Sequence, residues 1–298
     1  MAEKPIAVYG ALSANLIIAV AKLGAAAISG SAALFAEGIH SLVDTGNQVL
    51  LLVGIKRSRK PPGPVHPFGR GKEIYFWTLI VAVLLFGVGG GISAYEGVHA
   101  LTHPSGERGD LLWAYIVLGI AFVTESVSWA IALRLLLRER GETFWKKLHH
   151  SKDPAKFVVF AEDTAAILGV VVAFLGVFIG HWLGSPVPDA VASIVIGAIL
   201  AGVAIYLMSE SRHLLIGEAA DRDQVRTIVA VTEADPLVER AGQPLTMYFG
   251  PHELLINLEV KFVKGPSVRE IAGAIERIES RLRENYPEVR RVFIEARL

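Results

Sequence analysis

The stretch Ser31–Asn47, SAALFAEGIHSLVDTGN, decides how the rest of the chain is read. It lies inside an apolar segment long enough to cross a bilayer, yet it carries Glu37, His40, Asp44 and Asn47. Their successive spacings of three, four and three put all four on one face of a helix. His40 and Asp44 are one turn apart, about 6 Å along the axis. A carboxylate in a spanning helix costs about 2.5–3.5 kcal/mol on insertion scales, so it normally faces a protein-lined cavity and has a function. An imidazole and a carboxylate one turn apart supply half of a four-ligand site for a divalent metal. A polar seam between helices, or a buried His–Asp hydrogen bond, produces the same pattern. On this stretch alone both readings stand.

Composition narrows the setting. Of 298 residues, 52% are hydrophobic and 19% charged, too apolar a balance for an ordinary soluble domain. The mean hydropathy of +0.47 agrees. Lysine and arginine balance aspartate and glutamate, 29 against 29, so electrostatics gives no support to a nucleic-acid partner. The absence of cysteine excludes disulfides, thiolate metal sites and cysteine nucleophiles. Any metal must be held by His, Asp, Glu, Asn or water.

Six apolar segments can be marked, at about Ile6–Ser29, Ala32–Ile55, Ile74–Val98, Leu111–Leu137, Phe157–Leu183 and Val187–Met208. Each reaches the roughly 20 residues a spanning helix needs. The first outruns a signal-peptide core and is read as a retained span. Ser29-Gly30-Ser31 makes a tight hairpin between the first two. Lys56, Arg57, Arg59, Lys60, Arg70 and Lys72 follow the second span, and Arg138, Arg140, Lys146, Lys147, Lys152 and Lys156 follow the fourth. The intervening connections hold only Arg108 or no basic residue. This alternation expects both termini in the cytoplasm.

From about Glu218 the pattern becomes that of a soluble α+β domain. Arg222–Ala234 reads as an amphipathic helix. Leu245–Phe249 and Leu254–Val263 read as strands around Gly250-Pro251, and Ser267 with Glu270 forms a capping box for a helix to about Asn285. Val289–Ala296 reads as the last strand. The expected division is residues 1–212 as the membrane domain and 213–298 as the small domain.

Further polar residues sit in the spans. Glu162 and Asp163 are adjacent, about 100° apart on a helix, and are expected to face different points, with one of them a ligand. An interfacial pair following Lys152 and Lys156 is the plainer alternative. Glu125 lies midway along the fourth span; a proton carrier, an ion-path residue or a partner for Lys22 are all open. Asn15 is as readily helix–helix glue as ligand. Asp189, after Pro188, reads as the N-cap of the sixth span. The run His66–Trp77, HPFGRGKEIYFW, has a glycine-flanked basic residue and an aromatic belt, but no strand precedes it and no Walker pattern follows. Uphill transport would therefore draw on an ion gradient.

SGSAALFAEGIHSLVDTGNQ, HPFGRGKEIYFW, FAEDTAAILG and PDAVASIVIG, in that order, resemble the cation diffusion facilitator family of divalent-metal transporters. The likeness extends into LTMYFGPHELLINLEVKF, and HSLVDTGNQ with AEDTAA is most similar to the branch of zinc transporter 9. The resemblance implies a six-span homodimer with a cytoplasmic ferredoxin-like domain, exporting metal against entering protons. It also implies a transport site made of two ligand pairs on the second and fifth spans. His40 and Asp44 match the first pair and Asp163 half of the second; Val159 stands where the fourth ligand is expected, leaving water, Glu162 or Asn47 to complete the site. His66 matches a ligand of a further zinc site of some relatives, but Arg70 replaces its histidine, so that site is expected to be absent. His252 and Glu295 are isolated candidates in the small domain.

The expected cargo is a divalent cation, zinc before manganese, iron or cobalt, bound as substrate, with no cofactor and no enzymatic activity. The other class considered is an intramembrane metal-dependent hydrolase using the same residues; the chain offers no HExxH helix for it. The expected setting is the bilayer of a bacterial inner membrane.

Overall fold

The computed structural model describes residues 5–103, 109–137 and 152–297. The basic connection of residues 138–151 and Arg108 lie outside the described residues. Two compact units are present. The first holds Met1–Gly54, Trp77–Ser151 and Ala155–Ser211; the second holds Ile55–Phe76, Lys152–Pro154 and Arg212–Leu298.

The first unit is helical. Its elements are α1 (Pro5–Ser29), α2 (Ala32–Ser58), α3 (Glu73–Leu84), α4 (Gly91–Thr102), α5 (Leu111–Leu137), α6 (Pro154–Leu183) and α7 (Val187–Ile216). A π-helical segment, Leu85–Gly90, joins α3 to α4 without a break. Among the described residues, five stretches are long and apolar enough to cross a membrane: 12–29 of α1, 73–102 through α3 and α4, 111–135 of α5, 157–183 of α6 and 187–216 of α7. At 27 residues, or about 40 Å, α2 has the length. Its Glu37, His40 and Asp44, and the terminal Lys56 and Arg57, set it apart from those five in composition.

Two left-handed glycines make the hairpins possible. Gly30, with φ 69°, ends α1, and Gly184, with φ 61°, ends α6. Small residues bring the π-helical segment and α4 into backbone contact with α7. A Cβ on Gly197 would lie 2.8 Å from the Gly90 carbonyl, and one on Gly97 2.7 Å from the Ala190 carbonyl. Asp189 does not stand at the N-cap position of its own helix, which begins at Val187. It sits in the first turn of α7, and its carboxylate accepts from the Ser31 hydroxyl at 2.6 Å and the Ala32 N–H at 2.7 Å. It therefore neutralises the N-terminus of α2, where unpaired N–H groups attract an anion.

The second unit contains a sheet covered on one face by helices. After α7 come α8 (Arg222–Glu233), β1 (Val238–Ala241), β2 (Leu245–Gly250), β3 (Glu253–Phe262), α9 (Val268–Asn285) and β4 (Val289–Arg297). β3 is central. β1 and β2 pair antiparallel with its two halves, and β4 runs parallel to it. Along β3, Leu254, Ile256, Leu258, Val260 and Phe262 are buried while their neighbours are not, so one face forms the core. Ile228 of α8 and Ala274, Ile278 and Leu282 of α9 complete it. Each large apolar side chain buried here stabilises the unit by roughly 1.5–3 kcal/mol. The Ser267–Glu270 capping box starts α9, with the Glu270 carboxylate 2.7 Å from the Ser267 N–H.

Arg277 on α9 donates two hydrogen bonds to buried Asp235, at 2.9 and 3.0 Å, and the Leu237 N–H adds a third at 3.2 Å. Burial alone would raise the Asp235 carboxyl, but these bonds outweigh it and hold the carboxyl below its ordinary value of 3.8. Stability from a depressed carboxyl is fully present above about pH 4 and is lost as pH falls through the lower folded value. Arg277→Ala is expected to lower stability only modestly, because the guanidinium is half exposed and solvent screens the pair. It should also start acid unfolding at a higher pH. Circular dichroism of the full chain in detergent, followed on acidification, checks this; an unchanged onset would show that Asp235 does not depend on Arg277.

Candidate metal centre

Helix α2 turns its polar face inward. Glu37 and His40 are fully buried and Asn47 is nearly so. His40 Nε2 lies 3.4 Å from Asp44 Oδ2. Asn47 donates from Nδ2 to Glu162 Oε1 on α6 at 2.7 Å. Glu37 meets the Lys22 ammonium of α1 at 2.9 Å, and a Cβ on Gly169 of α6 would collide with its other oxygen. Lys22 also donates to Ser41 Oγ at 2.8 Å and lies 3.6 Å from Glu125 of α5. The four helices are thus joined through buried charge.

Beside this network is a polar cavity of about 30 Å³, room for an ion or a water molecule. Asn15 and Ile18 of α1, Ser41, Asp44 and Gln48 of α2, Glu125 and Ser128 of α5, and Val159, Glu162 and Asp163 of α6 line it. Four carboxylates therefore face one small space. Such oxygen-rich surroundings fit a divalent cation.

The expected residues fall into three groups. Asp44, Asp163, Glu162 and Glu125 border the cavity together. Asn47 reaches it indirectly, through Glu162. His40 touches Asp44 but does not line the cavity, and among the described residues both its buried ring nitrogens are without a hydrogen-bond partner, as are Asp44 Oδ1 and Asn47 Oδ1. Among the described residues, no group of three or more His, Asp or Glu side chains is arranged to hold a metal ion.

Glu162 and Asp163 do not diverge as their 100° separation led us to expect. Asn47 draws Glu162 toward α2 and Ser128 donates to Asp163 Oδ2 at 2.9 Å, so both carboxylates border the same space. Val159 stands one turn before Asp163, on the cavity wall. Ser41, Gln48 and Ser128 were not anticipated. Their signal was periodic: Ser41 and Gln48 lie three before and four after Asp44, and Ser128 three after Glu125. In the second unit, Arg70 bonds Glu73 at 3.2 Å, Glu295 bonds Arg297 at 2.7 Å, and His252 is exposed in the turn before β3.

Residues 8–216 match the family model described as the cation efflux transmembrane domain. The mouse protein named proton-coupled zinc antiporter SLC30A9, mitochondrial, is 32% identical over 307 residues, covering 90% of this chain and 54% of that protein. Metal tolerance protein C4 of Arabidopsis thaliana is 32% identical over 259 residues, 86% of this chain and 56% of the relative. The manganese efflux system protein MneP of Bacillus subtilis is 24% identical over 288 residues, 95% and 92% of the two chains. The chain spans about half the length of the animal and plant relatives and nearly all of the bacterial one. The family match runs from α1 to the end of α7, through every helix that borders the cavity, and the chain belongs to the cation efflux family, the cation diffusion facilitators, on the branch of the SLC30A9 proteins.

Proposed function

We propose that the protein exports a divalent metal cation, zinc foremost, in exchange for protons. The observation that carries this reading is the convergence of Asp44, Glu125, Glu162 and Asp163 on a cavity of ion size inside a helical unit built for a membrane. Asp44 on α2 and Asp163 on α6, both on the cavity wall, are principal ligands together with His40, which sits behind Asp44 and joins the ion by turning past it; Glu162 and Asn47 assist. Metal requires neutral imidazole and ionised carboxylates, so loading releases protons, and protons arriving from the other side displace the ion. Glu125, held beside Lys22 on the cavity wall, belongs to the proton or ion path. A cavity of about 30 Å³ suits an ion, which favours transport over hydrolysis.

In this reading α2 is the sixth spanning element, screened by its neighbours. Residues 1–212 form the transporter domain and 213–298 a ferredoxin-like domain that joins two copies on the cytoplasmic side. The alternation of loop charge supports both termini lying on that side, with a bacterial inner membrane supplying the proton gradient. Val159 leaves one position to water or Glu162.

The test is reconstitution of the full chain into sealed vesicles with an imposed pH gradient. Zinc is expected to move against protons, and manganese to follow more weakly. A chain that moves neither ion under either polarity of gradient is not a metal–proton exchanger.

A further inference from the structure

Within the second unit, the 65–76 segment, the end of α7 and β2 enclose an open cleft of about 430 Å³. Phe76, Leu215 and Phe249 give it a largely apolar wall; His66, Arg70 and Lys72 give it basic groups, against the single carboxylate of Glu73. Its residues place it at a membrane boundary. Lys72 immediately precedes the apolar stretch 73–102, and Leu215 lies in the last turn of the stretch 187–216.

Lys72 is the unusual member. Arg70 has Glu73 as counter-ion at 3.2 Å, whereas the Lys72 ammonium has neutral partners only: the Leu215 carbonyl at 3.3 Å, Met247 Sδ at 3.6 Å and the face of Phe249 at 5.1 Å. Burial among these atoms draws its pKa below the usual lysine range. Among the described residues, the ammonium therefore borders the cleft with no carboxylate paired to it.

The cleft is also held in shape. Phe68 stacks on Phe249 at 5.1 Å, and Arg291 covers Phe68 at 4.8 Å while donating to the Pro67 carbonyl at 3.0 Å. Gly69 has φ 88°, and a Cβ on Gly71 would collide with the Phe249 carbonyl. Neither position accepts a side chain without moving the loop.

We propose that this cleft binds an anionic phospholipid, with the phosphate at Lys72 and the glycerol and first methylenes against Phe76, Leu215 and Phe249. Charge and apolar surface point to the same ligand. A free anion would leave the apolar wall wet, and a neutral lipid would leave Lys72 without a counter-charge. The headgroup level is where anionic phosphate and acyl chain are available together. The assignment does not depend on which ion the chain transports.

Thermal unfolding of the full chain in detergent, titrated with short-chain phosphatidylglycerol, phosphatidylcholine or inorganic phosphate, tests it. Phosphatidylglycerol should raise the midpoint more than phosphatidylcholine does, and inorganic phosphate should leave it in place. Lys72→Gln should weaken the phosphatidylglycerol effect about fivefold or more, the worth of one basic residue near anionic lipid, and Lys72→Arg should retain it. Val65→Trp, on the cleft wall and 81% exposed, should block the lipid without altering any charge and keeps the test open if Lys72→Gln does not fold. Equal midpoints with the two lipids, a full effect from inorganic phosphate, or undiminished binding in either Lys72→Gln or Val65→Trp would overturn the assignment. So would a Val65→Trp chain that changes oligomer mass while phosphatidylglycerol has no effect, since a second copy would then cover the cleft.

Discussion

Asp44→Ala and Asp163→Ala should each lower zinc flux into vesicles by at least about 10–100-fold, the loss that even a second-shell partner of a metal ligand commands. Neither should unfold the protein. Asp44, Glu125, Glu162 and Asp163 crowd one cavity, and Lys22, the buried cation nearest them, lies 3.6 Å from Glu125 and is bonded to Glu37. Removing one of four like charges relieves repulsion, so the thermal midpoint should hold or rise while transport fails. That opposition of signs separates a ligand from a structural residue, whose loss lowers both. Val159→His supplies the contrary arm. It places an imidazole on the cavity wall one turn before Asp163, and should tighten zinc binding relative to manganese, because imidazole suits zinc better. Normal flux in Asp44→Ala would show that α2 does not carry the ion.

The helical frame and the small domain could be read from the chain because their signals are local. Apolar runs of spanning length, a strand alternating from Leu254 to Phe262 and a Ser267–Glu270 box each need only neighbours in sequence. The polar face of α2 was legible because ionisable groups in an apolar helix are expensive and seldom accidental. What was illegible depended on partners far along the chain. Asp189 carries the local mark of an N-cap, and it caps a helix terminus 157 residues away. Glu162 and Asp163 diverge at the backbone, as periodicity requires, and are gathered by Asn47 and Ser128 on two other helices. β1, four residues reading VERA, has no strand pattern of its own and forms only because the edge of β3 is open to it. Lys22 was visible as an odd residue in α1 and named as one possible partner of Glu125. Its shorter bond, to Glu37, required the packing of α1 on α2.

Lys22→Met should destabilise the protein by about 3–5 kcal/mol, the loss expected when one member of a buried ion pair is removed and the other stays charged. The pair is fully buried on both sides, at 2.9 Å, and the second Glu37 oxygen has no hydrogen-bond partner among the described residues and is pressed against Gly169. Without the ammonium, Glu37 has no compensating cation and Ser41 loses its donor. For a chain of this size the midpoint should fall by roughly 5–15 °C. Lys22→Met combined with Glu37→Gln should recover most of that, because removing both charges together avoids the orphaned one. Coupling of this kind is expected of groups in one network and absent between distant sites. Glu37→Gln alone leaves the ammonium with Glu125 at 3.6 Å and Ser41, so its loss should be the smaller. Zinc flux distinguishes scaffold from ion path in the same set. If Lys22 serves only to hold α1 against α2, the double variant transports as the parent does once it is folded. If it also keeps Glu125 in place on the cavity wall, the double variant folds and transports slowly. A single variant Lys22→Met with the parent's midpoint would mean that the Lys22–Glu37 pair contributes nothing to holding these helices together.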